Sequence, residues 1–477
     1  MYAEGGDDEQ AAVGRLSSMS LMAAVTASGK HLRFRYSVTD FNPSTIGTLG
    51  GETQRAFVRE VERVGHDPVY WVRREASFAL GALAKVVPEE IVINSLVCCK
   101  CLKPPSGFTH SHLQKLPLFE SLRWDVVWHV RHSALFALPA ILARLSPAQR
   151  RAVALETVEA LSADDNGTVR SGVLEALGEV IYTFHEDADG PPEALVRLFL
   201  GPKEVPSQTQ DRYRPDGLPT PLELFYSDPK RPLICAFNFP AVALTLGRRR
   251  WSELREAYLD LTTDVTCEVC RTLAASLGEL AKIIGTDNTQ KDLLNVWWLY
   301  IDFEDEGVRT KALESLYDII GVVGNEIGRT LAQGLLTRWG GGTFRGWRER
   351  ETVLKHIVGW VNRIGLGSAL LARGLLLKGL EDNVAAVREA AIVAVSPFFS
   401  FPCFLRTDNL SQIPEVWILF SLQQEVIDDF GDDLRQLATS TTYRRRMTYV
   451  LLNCWSIQID LSGQFYRIST SVGSSCR

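Results

Sequence analysis

Apolar residues in this chain recur at offsets 0, 4, 7, 8 and 11 from a Val that is followed by Arg, the spacing of one helical face. They are Val72, Ala76, Ala79, Leu80 and Leu83 in one stretch, Val169, Val173, Ala176, Leu177 and Val180 in another, and Val308, Ala312, Ser315, Leu316 and Ile319 in a third. A second amphipathic stretch comes before the turn, as in 149–161 (QRRAVALETVEAL) and 251–261 (WSELREAYLDL). Between the two stands an Asp six residues ahead of the Arg: Asp67 and Arg73, Asp125 and Arg131, Asp164 and Arg170, Asp382 and Arg388. A looser copy has Asp264 with Cys270 in the Arg place, and another has Val308-Arg309 with its nearest in-phase acid displaced to Asp302. Arg131 and Arg170 are 39 residues apart, as are Cys270 and Arg309, and Arg388 lies 79 past Arg309. The member missing midway is expected at Trp347-Arg348, so that at least six units share a period near 39.

Each unit predicts a helical hairpin, its Asp expected to cap the second helix. One hairpin cannot bury its own apolar stripe, so neighbours must stack, which predicts an all-α superhelical α-α solenoid. Asp at the turn and Arg in the first turn of the following helix leave from the same edge of the hairpin. The Arg of one repeat can then reach the Asp of the next in a charge-assisted ladder. Two readings of that edge stand: it sets repeat geometry, or it also meets a partner. The candidate residues are Asp67, Arg73, Asp125, Arg131, Asp164, Arg170, Asp264, Arg309, Arg348, Asp382 and Arg388, with the turn aromatics Tyr70, Trp71 and Trp128 beside His129. The aromatics are the better contact candidates, and capping of the neighbouring hairpin explains them equally well.

The phase breaks in places. Arg73 to Arg131 is 58 residues, an excess matched by the 19 residues of 98–116 (CCKCLKPPSGFTHSHLQKL), which carry no helical stripe. Similar foreign-looking stretches are 30–51 and 454–477, expected as loops or as sequence that a faulty gene model has added. Residues 185–232, rich in Pro, Gly and Asp, are expected as a long irregular insert within the array. The expected organisation is therefore 1–53 as an N-terminal helix plus irregular insert, 54–453 as the repeat array, and 454–477 as a non-repeat tail.

Composition narrows the function. Lys plus Arg number 51 against 57 Asp plus Glu, a formal charge of −6 with a pI near 5.9, which gives no global basic field for nucleic acid or an anionic membrane. No stretch approaches the ~18 apolar residues of a membrane helix. The acidic opening MYAEGGDDEQ lacks the pattern of a secretory signal, and nine cysteines without framework spacing suit a reducing compartment, so the expectation is cytoplasmic, with the nucleus also open. Cys98 and Cys101 followed by His110 and His112 offer zinc-type residues, but the His pair is tighter than the roughly three to five intervening residues of zinc sites. Cys267 and Cys270 occupy repeat positions, where substitution within the repeat outweighs redox chemistry. Phosphate-loop, dinucleotide, zincin and serine-hydrolase motifs are missing, and the single His185-Glu186 pair is too few for a di-iron centre of the kind helical-repeat hydroxylases use. The expectation is a non-enzyme with no cofactor and no metal. The Arg248 to Arg250 and Arg444 to Arg446 runs fit solvated helix faces or steering of an acidic partner.

The Asp, Val-Arg and hairpin units resemble HEAT repeats, of the HEAT/armadillo-type fold. Longer blocks resemble more: VYWVRREASFALGALAKVVPEE from Val69, VWHVRHSALFALPAIL from Val127, FNFPAVALTLGRRRWSELREAYLDL from Phe237, RTLAASLGELAKIIG from Arg271 and TYRRRMTYV from Thr442. They are similar to the regulatory subunit 1 family of protein phosphatase 4, in fungal form, relatives of the protein phosphatase 2A scaffold subunit. The departures are Cys270 in an Arg place, the foreign-looking stretches and an array that stops near Asn453. The resemblance implies a non-catalytic regulatory scaffold that binds a serine/threonine phosphatase catalytic subunit and its substrate proteins. The alternative is an importin-like transport or assembly adaptor, whose mark would be an acidic inner surface.

Overall fold

The computed structural model describes residues 51–86, 117–202, 219–264, 266–365, 368–399, 424–454, 458–459 and 465–466. The chain divides into two compact units, Met1–Arg250 and Trp251–Arg477.

In the first unit the helices are α1 (Gly51–Gly65), α2 (Tyr70–Val86), α3 (Leu118–Arg123), α4 (Trp128–Leu142), α5 (Pro147–Ser162), α6 (Gly167–Tyr182), α7 (Glu193–Leu200), α8 (Pro221–Tyr226) and α9 (Arg231–Leu246). The pairs α1/α2, α3/α4 and α5/α6 are antiparallel hairpins, and their second helices stack in the order α2, α4, α6, α9. In the second unit come α10 (Trp251–Thr262), α11 (Cys267–Asn288), α12 (Leu294–Ile301), α13 (Glu306–Val323), α14 (Asn325–Gly340), α15 (Trp347–Ile364), α16 (Ala369–Leu380), α17 (Ala385–Phe399), α18 (Gln424–Thr439) and α19 (Tyr443–Cys454). They pair as five hairpins, and α11, α13, α15, α17 and α19 stack in turn. The fold is all-α, of the HEAT/armadillo type.

The helical stripes read from the sequence are the surfaces that close these stacks. Val72, Ala76, Ala79, Leu80 and Leu83 of α2, Val169, Val173, Ala176, Leu177 and Val180 of α6, and Val308, Ala312, Leu316 and Ile319 of α13 are all buried. Small residues at offsets 4 and 7 keep the second helices close, so each apolar stripe meets the next without a gap.

A glycine ends each of three successive second helices. Gly285, Gly324 and Gly365 have φ of 78°, 88° and 76°, with 39 residues from the first to the second and 41 to the third. A side chain at such φ would strike its own backbone, so only glycine turns the chain into the next hairpin without strain. Gly285 does so inside α11, splitting it in effect at Ile284; the chain then passes through a π-helical turn (Thr289–Leu293) into α12.

Three expectations change. The stretch 185–232 is not irregular throughout: α7 buries Leu195, Val196, Leu198 and Phe199, starting after Pro192 and stopping at Gly201, and α8 buries Phe225. Pro and Gly there punctuate short helices rather than forbid them. Asp125, Asp164 and Asp264 do not cap the second helices themselves; they stand two residues before the cap, which is Val127 for α4, Asn166 for α6 and Thr266 for α11, whereas Asp305 does cap α13, accepting from Val308 N at 2.9 Å. The tail holds a short ladder among its described residues, Gln458 with Tyr466 and Ile459 with Phe465. Segments 30–50 and 98–116, with Cys98, Cys101, His110 and His112, lie outside the described residues, as does the N-terminal 1–50.

Candidate functional site: the arginine edge

Five of the turns are closed by an aspartate. Asp67, Asp125, Asp164, Asp264 and Asp382 accept a bond at Oδ1 from the backbone N–H two residues on, at 2.9, 2.8, 2.9, 2.7 and 2.9 Å. Such side-chain turns satisfy the N–H that the helix start leaves over.

The arginine six residues later folds back on the same turn. Arg73 Nη1 donates to the carbonyls of Asp67 and Pro68 (2.8 and 3.0 Å), Arg131 Nη1 to those of Asp125 and Val126 (2.7 and 3.3 Å), and Arg170 Nη1 to those of Asp164 and Asp165 (2.7 and 3.0 Å). Arg309 holds Phe303 and Glu304 in this way, Arg388 holds Asp382, and Arg446 holds Ser440 and Thr441. With Nη1 anchored, Nε and Nη2 point at the next repeat as a two-pronged fork. Arg73 grips Asp125 (Nε–Oδ2 2.6 Å, Nη2–Oδ1 2.9 Å), and Arg131 grips Asp164 (2.7 and 2.9 Å). Arg73 and Asp125 are 4% and 3% exposed at their side chains, so the pair is fully desolvated.

The second unit keeps the geometry and moves the acids. Arg309 Nε donates to Glu349 Oε1 at 2.6 Å, a carboxylate in the first turn of α15 rather than in the loop before it. Burial pushes the Glu349 carboxyl above its ordinary pKa, against the pull of Arg309. The arginine of the α15 repeat is Arg350, not Arg348. Arg350 Nη1 binds the carbonyls of Phe344 and Arg345, and its fork takes Asp382 (Nε–Oδ2 2.6 Å, Nη2–Oδ1 3.2 Å). Arg348 lies on the exposed side, 3.8 Å from Glu306 and over the Trp347 ring. Counting a strict 39 placed the residue two positions early because the loop after α14 is longer here. At Cys270 the thiol stands in for Nη1, 3.3 Å from the Asp264 carbonyl, and the cation moves one place on, Arg271 Nη2 reaching Asp305 at 3.1 Å. Burial raises the Cys270 thiol, and Cys267 is exposed. Asp302, the displaced in-phase acid, serves instead Arg338 (2.8 and 2.7 Å), whose guanidinium lies 3.9 Å over Trp298.

Three forks are empty among the described residues, those of Arg170, Arg388 and, in the last repeat, Arg446. Arg388 has Ser440 where the next turn acid would stand, Ser440 Oγ taking over the N–H of Thr442. Arg170 has an acid in the right turn, Asp228, but Asp228 accepts from Ser171 Oγ and from Lys230 N (2.9 Å).

The turn aromatics line this edge. Tyr70 is 40% exposed, with its ring 5.5 Å from that of His129 in the next repeat, and Trp128 stacks on His129 at 3.5 Å; Trp71 is half-buried. One face along, exposed Phe78 and Phe136 stack at 5.9 Å, and His132 packs edge-on against Phe136. Sequence reasoning did not single out Phe78, Phe136, Arg271 or Arg350; Phe78 and Phe136 share an offset of six from their Val, which is a readable signal. Among the described residues no group of three or more His, Cys, Asp or Glu could hold a metal ion, and no helix is long and apolar enough to cross a membrane.

Residues 235–337, from α9 into α14, match the model of the protein phosphatase 4 regulatory subunit 1 middle domain. Over this stretch the chain is similar to protein phosphatase 4 regulatory subunit 1. The human serine/threonine-protein phosphatase 4 regulatory subunit 1 is 32% identical over 167 residues, 34% of this chain and 17% of the relative. The mouse protein is 44% identical over 86 residues, 18% of this chain and 9% of the relative. The aligned part is thus a small share of these relatives' length. Among solved structures, importin beta aligns over 92% of this chain and 49% of its own at 12% identity and a TM-score of 0.48. An engineered protein aligns over 91% and 98% at 15% identity and 0.38. The stretch that resembles regulatory subunit 1 contains the Cys270/Arg271 variation of the ladder and the bonds to Asp292 from buried Trp251 Nε1 (2.8 Å) and part-exposed Arg255 Nε (2.7 Å).

Proposed function

We propose that the chain is a non-catalytic regulatory scaffold that binds the catalytic subunit of a serine/threonine phosphatase of the phosphatase 4 type and directs it to substrate proteins. The observation that carries this reading is the match of residues 235–337 to a regulatory-subunit middle domain. The fold supports it in kind, since stacked hairpins present a long edge of repeated turns on which two polypeptides can sit side by side. Holding enzyme and substrate on one scaffold replaces a bimolecular encounter with an effective concentration of the order of millimolar. The mild negative charge argues for protein partners rather than nucleic acid, and the working compartment in this reading is the cytoplasm, with the nucleus a second location.

The test is a reconstitution. The tagged full chain is mixed with purified phosphatase 4 catalytic subunit, and with an unrelated phosphatase as control, and retention is read by blotting and by light scattering. Retention of the first alone supports the proposal. Equal retention of both, or of neither, overturns it.

A further inference from the structure

We propose that the open fork of Arg170 is a receptor for a carboxylate side chain supplied by a partner polypeptide. Four other arginines of the edge show what such a fork takes: Arg73, Arg131, Arg309 and Arg350 each present Nε and Nη2 to one carboxylate of the following repeat. Arg170 is oriented by the same two carbonyl bonds from Nη1, at 2.7 and 3.0 Å, so its fork is set in the same direction before any ligand arrives. Its Nε and Nη2 have no acceptor among the described residues, and Asp228 is engaged elsewhere. Beside this open fork the surface forms a cleft of about 500 Å³ lined by Arg170, Thr168, Lys230, His132 and Leu224, with Glu175 and Asp228 also on its wall.

The charges choose the ligand. Arg170 and Lys230 attract an anion, while Glu175 and Asp228 penalise a second negative charge, which favours a monoanionic carboxylate over a dianionic phosphoryl group. The apolar side of the cleft says what flanks it. Leu224 is 39% exposed on its wall, and His132 leads to the stacked, exposed pair Phe136 and Phe78. The occupant is thus a segment with Glu or Asp next to an apolar or aromatic residue. This reading does not rest on the phosphatase assignment, because it is measured with no phosphatase present.

The experiment uses the full chain on membrane arrays of nonapeptides with randomised flanks and a fixed central Glu, Gln or phosphoserine. Wild type should be retained on the Glu array at least about tenfold over the Gln array, with apolar flanks enriched. Arg170→Gln should abolish the preference, and Arg388→Gln, at another open fork, should leave it intact. Because Arg170 also ties its own turn, Glu175→Gln provides a variant that leaves that turn untouched and should strengthen Glu retention. Equal retention on Glu and Gln overturns the proposal, as does a preference unchanged in both Arg170→Gln and Glu175→Gln. Stronger retention on phosphoserine than on Glu overturns the carboxylate assignment.

Discussion

Arg73→Met isolates the worth of one closed rung. The substitution keeps most of the side-chain volume and removes four hydrogen bonds: two to Asp125 and one each to the carbonyls of Asp67 and Pro68. Asp125, 2% exposed, is left with the bond from Val127 N at 2.8 Å. Breaking a buried pair by removing one member costs about 3–5 kcal/mol, because the other charge stays desolvated. Four bonds at about 1 kcal/mol net each give a similar figure. Arg170→Met is the matched control. It removes only the two carbonyl bonds, at a half-exposed turn, and strands no carboxylate, so about 1 kcal/mol is expected. Urea unfolding followed by tryptophan fluorescence reads both variants, Trp71, Trp124 and Trp128 lying beside the Arg73 rung. A further variant, Arg73→Met with Asp125→Leu, should recover much of the loss, since an apolar pair replaces the ionic one. A difference between the two single variants of less than about 1 kcal/mol would refute the view that the fork, rather than the carbonyl anchor, supplies the stability.

Further outcomes follow from the same geometry. Arg350→Ala should destabilise the second unit by about 2–4 kcal/mol, because Asp382 is buried against it, while Arg348→Ala should stay within about 0.5 kcal/mol; comparable losses would restore Arg348 to the ladder. Gly324→Ala should cost about 1–3 kcal/mol, since φ 88° with ψ 173° is open to glycine alone, and an unchanged melting temperature would contradict the backbone assignment. Burial holds the His132 imidazole below its ordinary pKa of 6.5, with Glu175 pulling it up and His129 pushing it down. The unfolded chain then binds the proton more readily, so stability is full above pH 6.5 and falls as pH drops below it. The urea midpoint should decline from pH 7.5 to 5.5, His132→Gln should reduce that decline, and an identical slope in both proteins would count against it.

Much of the edge was legible as pattern. Helical stripes at offsets 0, 4, 7, 8 and 11 are a local property of a 3.6-residue period, so the second helices and the all-α hairpin architecture follow from the amino acids alone. The glycine stops at 285, 324 and 365 carry the same period and could have been read beside it. Arg350 was not readable from the Asp-Arg spacing. The residue six before it is Phe344, and the acid that Arg309 grips moved to Glu349 in a helix, while Arg350 takes the ordinary turn acid Asp382. A spacing rule sees acid and base on one hairpin, whereas each rung joins two hairpins.

That difference separates the two sources of information. The sequence determined the hairpin, its period, the turn that aspartate closes and the arginine that returns to it, because all of these act within about ten residues of chain. Only the tertiary structure decided which forks are filled. Arg73 and Arg170 sit in the same local motif, yet one meets a buried carboxylate 52 residues away and the other faces a cleft. The register of the following turn sets that outcome. At Asp228 the turn is fixed by Ser171 and by Arg231, which reaches back to the carbonyls of Leu198 and Phe199 at 2.6 and 2.8 Å. Packing between repeats, not composition within one, leaves Arg170 open to a ligand.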